Sequence, residues 1–364
     1  MARPGIFILL TLLLCSCGPY VPEIRNVMPP DMVVLRTEVR DGYDCNYVEF
    51  SVHGIDSNSE RIQAYLLVPD GYSEESQYPA VLMLHDHGAR FDIGKEKLVR
   101  PIASVLPDGS DDHIYHSSLQ WADKYFDGVF LADSLARQGY VVLVADALYW
   151  GERSSSDTQK WSRLMYGSSC ELDPKVRKDS LKSLKTRVYE GQCAVYDSLL
   201  VHNVIWAEKI LSDDVASIRL LKSLPYVDKN RLGAFGFSMG AHRCWMLAAF
   251  CKDVKTGVAL SWMTVLDREA EMTPSDYSMA VMPMRERMDF GDIGQYLAPK
   301  PMLFLSGESD PLFPKESVGK AYLKLQSHYS RCPDRLRTEF FDGGHHCGKD
   351  IQKRIFEYLD SELK

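Results

Sequence analysis

Leu232-Gly233-Ala234-Phe235-Gly236-Phe237-Ser238-Met239-Gly240 is the stretch on which the fold turns. Residues 232–235 are apolar or small without alternation, as in a strand covered on both faces, and a helical pattern opens at Gly240 and runs to Phe250. Between them a serine stands in a G-x-S-x-G frame. A turn that passes so abruptly from strand to helix forces its central residue into a strained conformation, and its flanks have no room for side chains, hence Gly236 and Gly240. It lifts the Ser238 hydroxyl above the sheet edge and sets a helix N-terminus behind it, whose aligned N–H dipoles suit a developing negative charge. Ser238 is therefore the candidate nucleophile. The competing reading is a serine in a glycine-rich turn that merely caps the helix.

Outward from this turn, runs 80–84, 140–145 and 302–305 have the same unbroken apolar character. Helical patterns at 128–137, 195–224, 240–250 and 316–328 alternate with them, which predicts an α/β fold with a mostly parallel sheet and helices on both faces. Runs 47–52 and 62–68 flank a turn-rich stretch and read as an antiparallel pair preceding the parallel core. A last strand at 337–341 leads to a closing helix at about 350–363. Residues 151–191 are polar, dense in Ser and Lys, and longer than an ordinary connection, so they read as a rim or cap insertion or as a plain surface loop.

A serine hydroxyl needs a base, and the base needs a carboxylate to fix its tautomer. After the 302–305 strand comes Ser306-Gly307-Glu308-Ser309-Asp310-Pro311, which puts Asp310 in a loop at the C-terminal end of a strand, where doubly wound sheets build their sites. Glu308 and Asp292 are lesser candidates. After the 337–341 strand comes Asp342-Gly343-Gly344-His345-His346-Cys347. The two glycines allow a tight return over the sheet, and His345 follows them directly, which ranks it above His346 as the base. His53, His202 and His328 lack such a setting.

His85-Asp86-His87-Gly88 follows the 80–84 strand, a place from which a backbone N–H can assist that of Met239 in holding an oxyanion. The second donor is His87 or Gly88, with His87 preferred. His85 could hold the loop through backbone bonds. A metal-ligand reading of His85, Asp86 and His87 finds no further ligand cluster to support it.

The 364 residues carry a formal charge of −8, spread along the chain without a basic stripe, which argues against a nucleic-acid partner. At the N-terminus Arg3 precedes the apolar run 6–14, far shorter than the roughly 20 residues of a membrane span, so residues 1–17 read as a signal peptide. Leu14-Cys15-Ser16-Cys17 resembles a bacterial lipobox with Cys17 as the lipidated residue; cleavage without lipid is the plainer alternative. Residues 18–34, rich in proline, read as a tether, and 35–364 as one folded domain. The expected location is the bacterial cell envelope, with membrane contact only through that lipid. The remaining cysteines read mostly as small buried hydrophobes, with Cys170 and Cys193 a possible loop staple.

Together these residues resemble the acetyl xylan esterase and dienelactone-hydrolase-like branch of the α/β-hydrolase superfamily, over nearly all of the chain after the tether. Besides the Ser238, Asp310, His345 order and His85-Asp86-His87-Gly88, the resemblance rests on Gly139-Tyr140-Val141-Val142 running into Asp146 and on Trp150-Gly151-Glu152-Arg153. Asp228, Asp289-Phe290-Gly291-Asp292 and Ala298-Pro299-Lys300-Pro301 extend it. It implies an esterase without a cofactor, acting on acylated carbohydrate or another small ester, with Glu152 and Arg153 shaping a loop by ion pairing. Ser in place of the Cys of dienelactone hydrolases, and the insertion after 151, depart from that enzyme and its lactone substrate. Tyr149, Trp150 and Trp161 could stack on a sugar ring or simply pack. The alternatives are a serine peptidase of the prolyl oligopeptidase type, which would ordinarily carry a large N-terminal propeller, and a non-catalytic binding protein, which would ordinarily have lost a triad member.

Overall fold

A single sheet organises the chain in the computed structural model, which describes residues 19–25, 31–55, 58–73, 75–102, 112–167, 172–265, 278–279 and 282–364. Its strands are β1 (Val33–Arg40), β2 (Tyr43–His53), β3 (Ser59–Pro69), β4 (Tyr78–Leu84), β5 (Val141–Ala145), β6 (Val227–Phe237), β7 (Thr256–Leu260), β8 (Met302–Gly307) and β9 (Leu336–Phe341). The spatial order is β1-β2-β3-β5-β4-β6-β7-β8-β9. β1, β2, β3 and β5 pair antiparallel in succession, and β5, β4, β6, β7, β8 and β9 pair parallel. From β4 the chain goes first to one side, to β5, then crosses to the other, to β6. The C-terminal ends of β4 and β6 therefore flank a switch point, where this architecture leaves a crevice.

The helices are α1 (His113–Phe126), α2 (Leu131–Arg137), α3 (Ser156–Tyr166), α4 (Pro174–Val201), α5 (Trp206–Ser223), α6 (Met239–Phe250), α7 (Met282–Arg287), α8 (Gly294–Leu297), α9 (Lys315–His328) and α10 (Lys349–Leu363). α5, α6 and α9 cover one face of the sheet, packing Leu221, Trp245 and Leu325 against Leu82, Ala234 and Phe304. α1, α2 and α10 cover the other, with Trp121, Leu135 and Ile355 against Val81, Phe235 and Leu303. The α/β expectation with both faces covered is the fold observed.

Two readings of the sequence change in detail. The helix expected over 195–224 is two helices. Asn203 has φ 53°, and its N–H and that of Val204 close on Leu200 and Leu199 carbonyls at 3.0 and 2.8 Å. This is a Schellman ending with asparagine in the left-handed position usually given to glycine. The polar stretch 151–191 is largely helical: Ser155 caps α3, and Asp173 with Pro174 opens the 28-residue α4.

Part of the proline-rich N-terminal stretch is docked on the body. Tyr20 is buried and donates to Glu208 Oε1 at 2.6 Å, and the Glu23 and Arg25 N–H groups donate to Glu208 and Ser212 on α5. Cys17, its lipobox and Cys170 lie outside the described residues. No helix among the described residues is long and apolar enough to cross a membrane. Of the cysteines described, Cys45, Cys244, Cys251 and Cys347 are buried with free thiols.

Candidate active site

Ser238 sits between the end of β6 and the start of α6 with φ 54° and ψ −124°, a region that costs a non-glycine residue about 1–3 kcal/mol. The neighbours show how the turn is held. The Ser238 N–H donates to the Leu260 carbonyl at 2.8 Å, and its own carbonyl accepts from Ala241 at 2.7 Å. A Cβ on Gly236 would lie 1.8 Å from the Gly240 oxygen, and one on Gly240 would lie 1.9 Å from the Leu84 oxygen. The two glycines thus let the first turn of α6 press against the end of β4, as the G-x-S-x-G reading requires. The Met239 N–H, the first of α6, donates to no acceptor among the described residues.

Asp310 and His345 meet as the sequence order predicts. The His345 Nδ1 lies 2.7 Å from Asp310 Oδ2, with the carboxylate fully buried. The Leu312 N–H at 2.8 Å, with Phe313 N–H at 3.3 Å, holds the other oxygen, Oδ1, so the acid is fixed on both sides. The imidazole lies between the rings of Phe237 and Phe313, at centroid distances of 4.8 and 5.9 Å. Phe237 is the residue before Ser238, so this ring contact brings the imidazole to the serine turn. No hydrogen bond joins Ser238 and His345 in this conformation. Substrate-free sites commonly leave that bond open.

The lesser candidates are occupied elsewhere. Glu308 pairs with Lys315 at the surface. Asp292 completes a capping box with Asp289 and pairs with Lys324. His346 faces Asp127 at 3.1 Å, away from Asp310.

The loop after β4 is held from beneath. Both ring nitrogens of His85 engage the backbone: Nδ1 lies 3.0 Å from the Asp86 carbonyl, and Nε2 accepts from the Ala147 N–H at 3.0 Å. Burial keeps this imidazole neutral, well below the usual histidine range, and Arg243 and Lys97 act in the same direction. The Asp86 carboxylate accepts from Trp121 Nε1 at 3.0 Å, and His87 Nδ1 accepts from the Ala89 N–H at 3.0 Å. These three side chains build the loop.

Two fully buried lysines here escaped the sequence reading. Lys97 Nζ donates to the Asp86 and His87 carbonyls at 2.7 and 3.0 Å. Lys95 Nζ is ringed by Glu96, Asp146 and Glu152. The only signal was charge inside the otherwise apolar run 91–99. Glu152 and Arg153 are ion-paired as the resemblance implied: Glu152 with Lys95, Arg153 with Asp213 and Glu60. Burial and the neighbouring carboxylates push Asp146 upward. Lys95 chiefly counters burial in Glu152, holding that carboxyl down at about 2. Tyr149 and Trp150 are buried and cannot stack on a sugar: Tyr149 donates to the Val188 carbonyl at 2.6 Å, and Trp150 Nε1 to that of His87 at 3.1 Å. Trp161 is half-buried beside Arg90.

A nine-stranded, mostly parallel sheet with a serine on a strained strand-to-helix turn and an acid–histidine pair at the same sheet end defines an α/β-hydrolase. Residues 126–346 match the Dienelactone hydrolase family, and the chain belongs to that family. It is 25% identical over 311 residues to YtaP of Bacillus subtilis (strain 168), designated a hydrolase, covering 85% of this chain and 84% of YtaP. Among solved structures, a Bacteroides fragilis NCTC 9343 protein designated an acetyl xylan esterase superposes with TM-score 0.59 at 18% identity, over 86% of this chain and 70% of that one. A glucuronoyl esterase from Solibacter usitatus superposes with TM-score 0.56 at 11% identity, over 95% and 88%. At these identities the structural likeness speaks for the fold.

Proposed function

We propose that the protein is a serine carboxylic-ester hydrolase in which Ser238 is the nucleophile, His345 the general base and Asp310 the acid that orients it. The observation that carries this reading is the 2.7 Å His345–Asp310 contact beside the strained Ser238 turn. With Nδ1 given to Asp310, Nε2 is the nitrogen left to take the serine proton. Ser238 Oγ then attacks the ester carbonyl, and the N–H groups of Met239 and His87 receive the oxyanion. His345 returns the proton to the departing alkoxide, leaving an acyl-enzyme. Water, deprotonated by the same imidazole, releases the carboxylic acid and restores the serine.

The substrate reading is a small acyl group, acetate first, on a carbohydrate-like alcohol. Its support is the acetyl xylan and glucuronoyl esterase designations of the structural relatives, not aromatic stacking by Tyr149 or Trp150. The proposal extends to location: export with lipidation of Cys17, tested by detergent partitioning of wild type against Cys17→Ser. For the chemistry, a fluorophosphonate probe should label Ser238 in the wild type and fail on Ser238→Ala. Acetyl esters should turn over faster than octanoyl esters and far faster than prolyl or alanyl amides. Labelling of Ser238→Ala at the wild-type rate, or amide cleavage without ester cleavage, would overturn it.

A further inference from the structure

The four residues after β4 cannot by themselves decide where their N–H groups point, because a loop of that length has many conformations. Something must hold it. In a trans peptide the C=O of one residue and the N–H of the next lie on opposite sides of a rigid plane. Whatever fixes the carbonyl of Asp86 therefore aims the N–H of His87 the other way, and whatever fixes the carbonyl of His87 aims the N–H of Gly88.

Both carbonyls converge on one ammonium. Lys97 Nζ donates to the Asp86 oxygen at 2.7 Å and to the His87 oxygen at 3.0 Å, with Asp86 Oδ1 at 3.5 Å. Each carbonyl has a second partner: His85 Nδ1 at 3.0 Å on Asp86 and Trp150 Nε1 at 3.1 Å on His87. The Lys97 side chain is wholly buried, with its ammonium 5.0 Å from the Trp121 ring centroid. Burying a cation in such a place is costly unless its hydrogen bonds are satisfied. A neutral apolar residue would have filled the space at lower cost, so the charge has a task beyond packing. Lys97 stands in a short 3₁₀ turn, Lys95–Lys97, whose preceding residue is also constrained: a Cβ on Gly94 would fall 2.1 Å from Asp146 Oδ1. Lys95, the first residue of that turn, donates its N–H to Asp146 at 2.7 Å. The lysine is thus presented from a turn anchored to the end of β5.

We propose that Lys97 is a positioning residue for the oxyanion site: by holding two successive carbonyls from the buried side, it aims the His87 and Gly88 N–H groups toward the tetrahedral intermediate. The assignment rests on the serine-hydrolase reading above, and it holds whichever of the two N–H groups is the donor. It touches no substrate, so its effect belongs to the transition state and not to ground-state binding.

The test compares Lys97→Met with Leu221→Ala, a variant in the core beneath α5 that serves as a stability control. Ester hydrolysis gives kcat and KM, and inhibition by a trifluoromethyl ketone that forms a tetrahedral adduct reports on the oxyanion site. In Lys97→Met, kcat should fall by about a hundredfold, the size of a lost oxyanion donor, while KM moves less than about threefold. Ketone affinity should fall in step with kcat/KM. Leu221→Ala should lose stability without that split. If Lys97→Met does not fold, Lys97→Met/Asp86→Asn removes the carboxylate left unpaired and should show the same loss of kcat. A folded Lys97→Met, or folded double variant, with wild-type kcat and ketone affinity overturns the assignment while leaving the esterase reading intact. Wild-type protein that neither hydrolyses esters nor labels at Ser238 overturns both.

Discussion

Replacing Gly240 by alanine tests whether the contact between α6 and β4 sets the geometry of catalysis. The added Cβ would stand 1.9 Å from the Leu84 carbonyl oxygen and 3.1 Å from that of His85, where ordinary contact begins at 3.4 Å. Both obstacles are backbone, so neither can rotate away. The first turn of α6 must retreat from the sheet by about 1.5 Å if the whole overlap is relieved by translation. The Met239 N–H rides on that turn, next to Ser238. Since a 1 Å misplacement can cost about a hundredfold in rate, kcat on an acetyl aryl ester should fall by at least that factor. The strain should cost about 1–3 kcal/mol of stability. Gly319 is the control: it lies within α9 with nothing within 4 Å of a built Cβ. Gly319→Ala should leave activity unchanged and raise stability by about 0.5–1 kcal/mol. Steady-state kinetics with chemical denaturation separates the two effects. A folded Gly240→Ala enzyme with kcat within about threefold of wild type would refute the argument that this approach fixes the serine turn.

His345→Ala should lower kcat by several orders of magnitude and His346→Ala by much less, because only His345 contacts Asp310; the reverse ranking in an ester assay would move the base. Burial against Trp245 and Trp262 pushes His242 down to about 3 from its ordinary 6.5. Between those values the unfolded chain binds a proton that the folded one refuses, so stability is full above about pH 6.5 and is lost as the pH falls toward 3, by up to about 1.4 kcal/mol per pH unit. Urea unfolding at pH 7, 5 and 4 should show a shallower acid loss in His242→Phe; an unchanged slope would mean His242 does not titrate this way.

The serine turn was legible because its constraints are local: a strand, two glycines and a helix within 19 residues of chain from 232 to 250. The order of acid and histidine was legible for the same reason, each following its own strand. What joins them, the fixing of Asp310 by the N–H groups of Leu312 and Phe313 and the stacking of Phe237 and Phe313 on His345, is tertiary and leaves no periodic trace. Lys95 and Lys97 were missed because a lysine is by default read as solvated, and nothing adjacent in sequence announces that Asp146, Glu152 and the Asp86 carbonyl will surround them. The split between α4 and α5 hung on one asparagine taking a left-handed conformation that glycine more often supplies. β7 was passed over because Thr256–Leu260 is a five-residue run with no turn signal strong enough to set it apart.

The two rings on either side of His345 have a thermodynamic consequence. An exposed imidazole samples several side-chain rotamers, and choosing one each time a substrate arrives would add an entropic barrier to every turnover. Held between Phe237 and Phe313 and tethered to Asp310, this ring has made that choice when the chain folds. For the base proposed above, that part of the ordering needed for proton transfer is complete before substrate arrives.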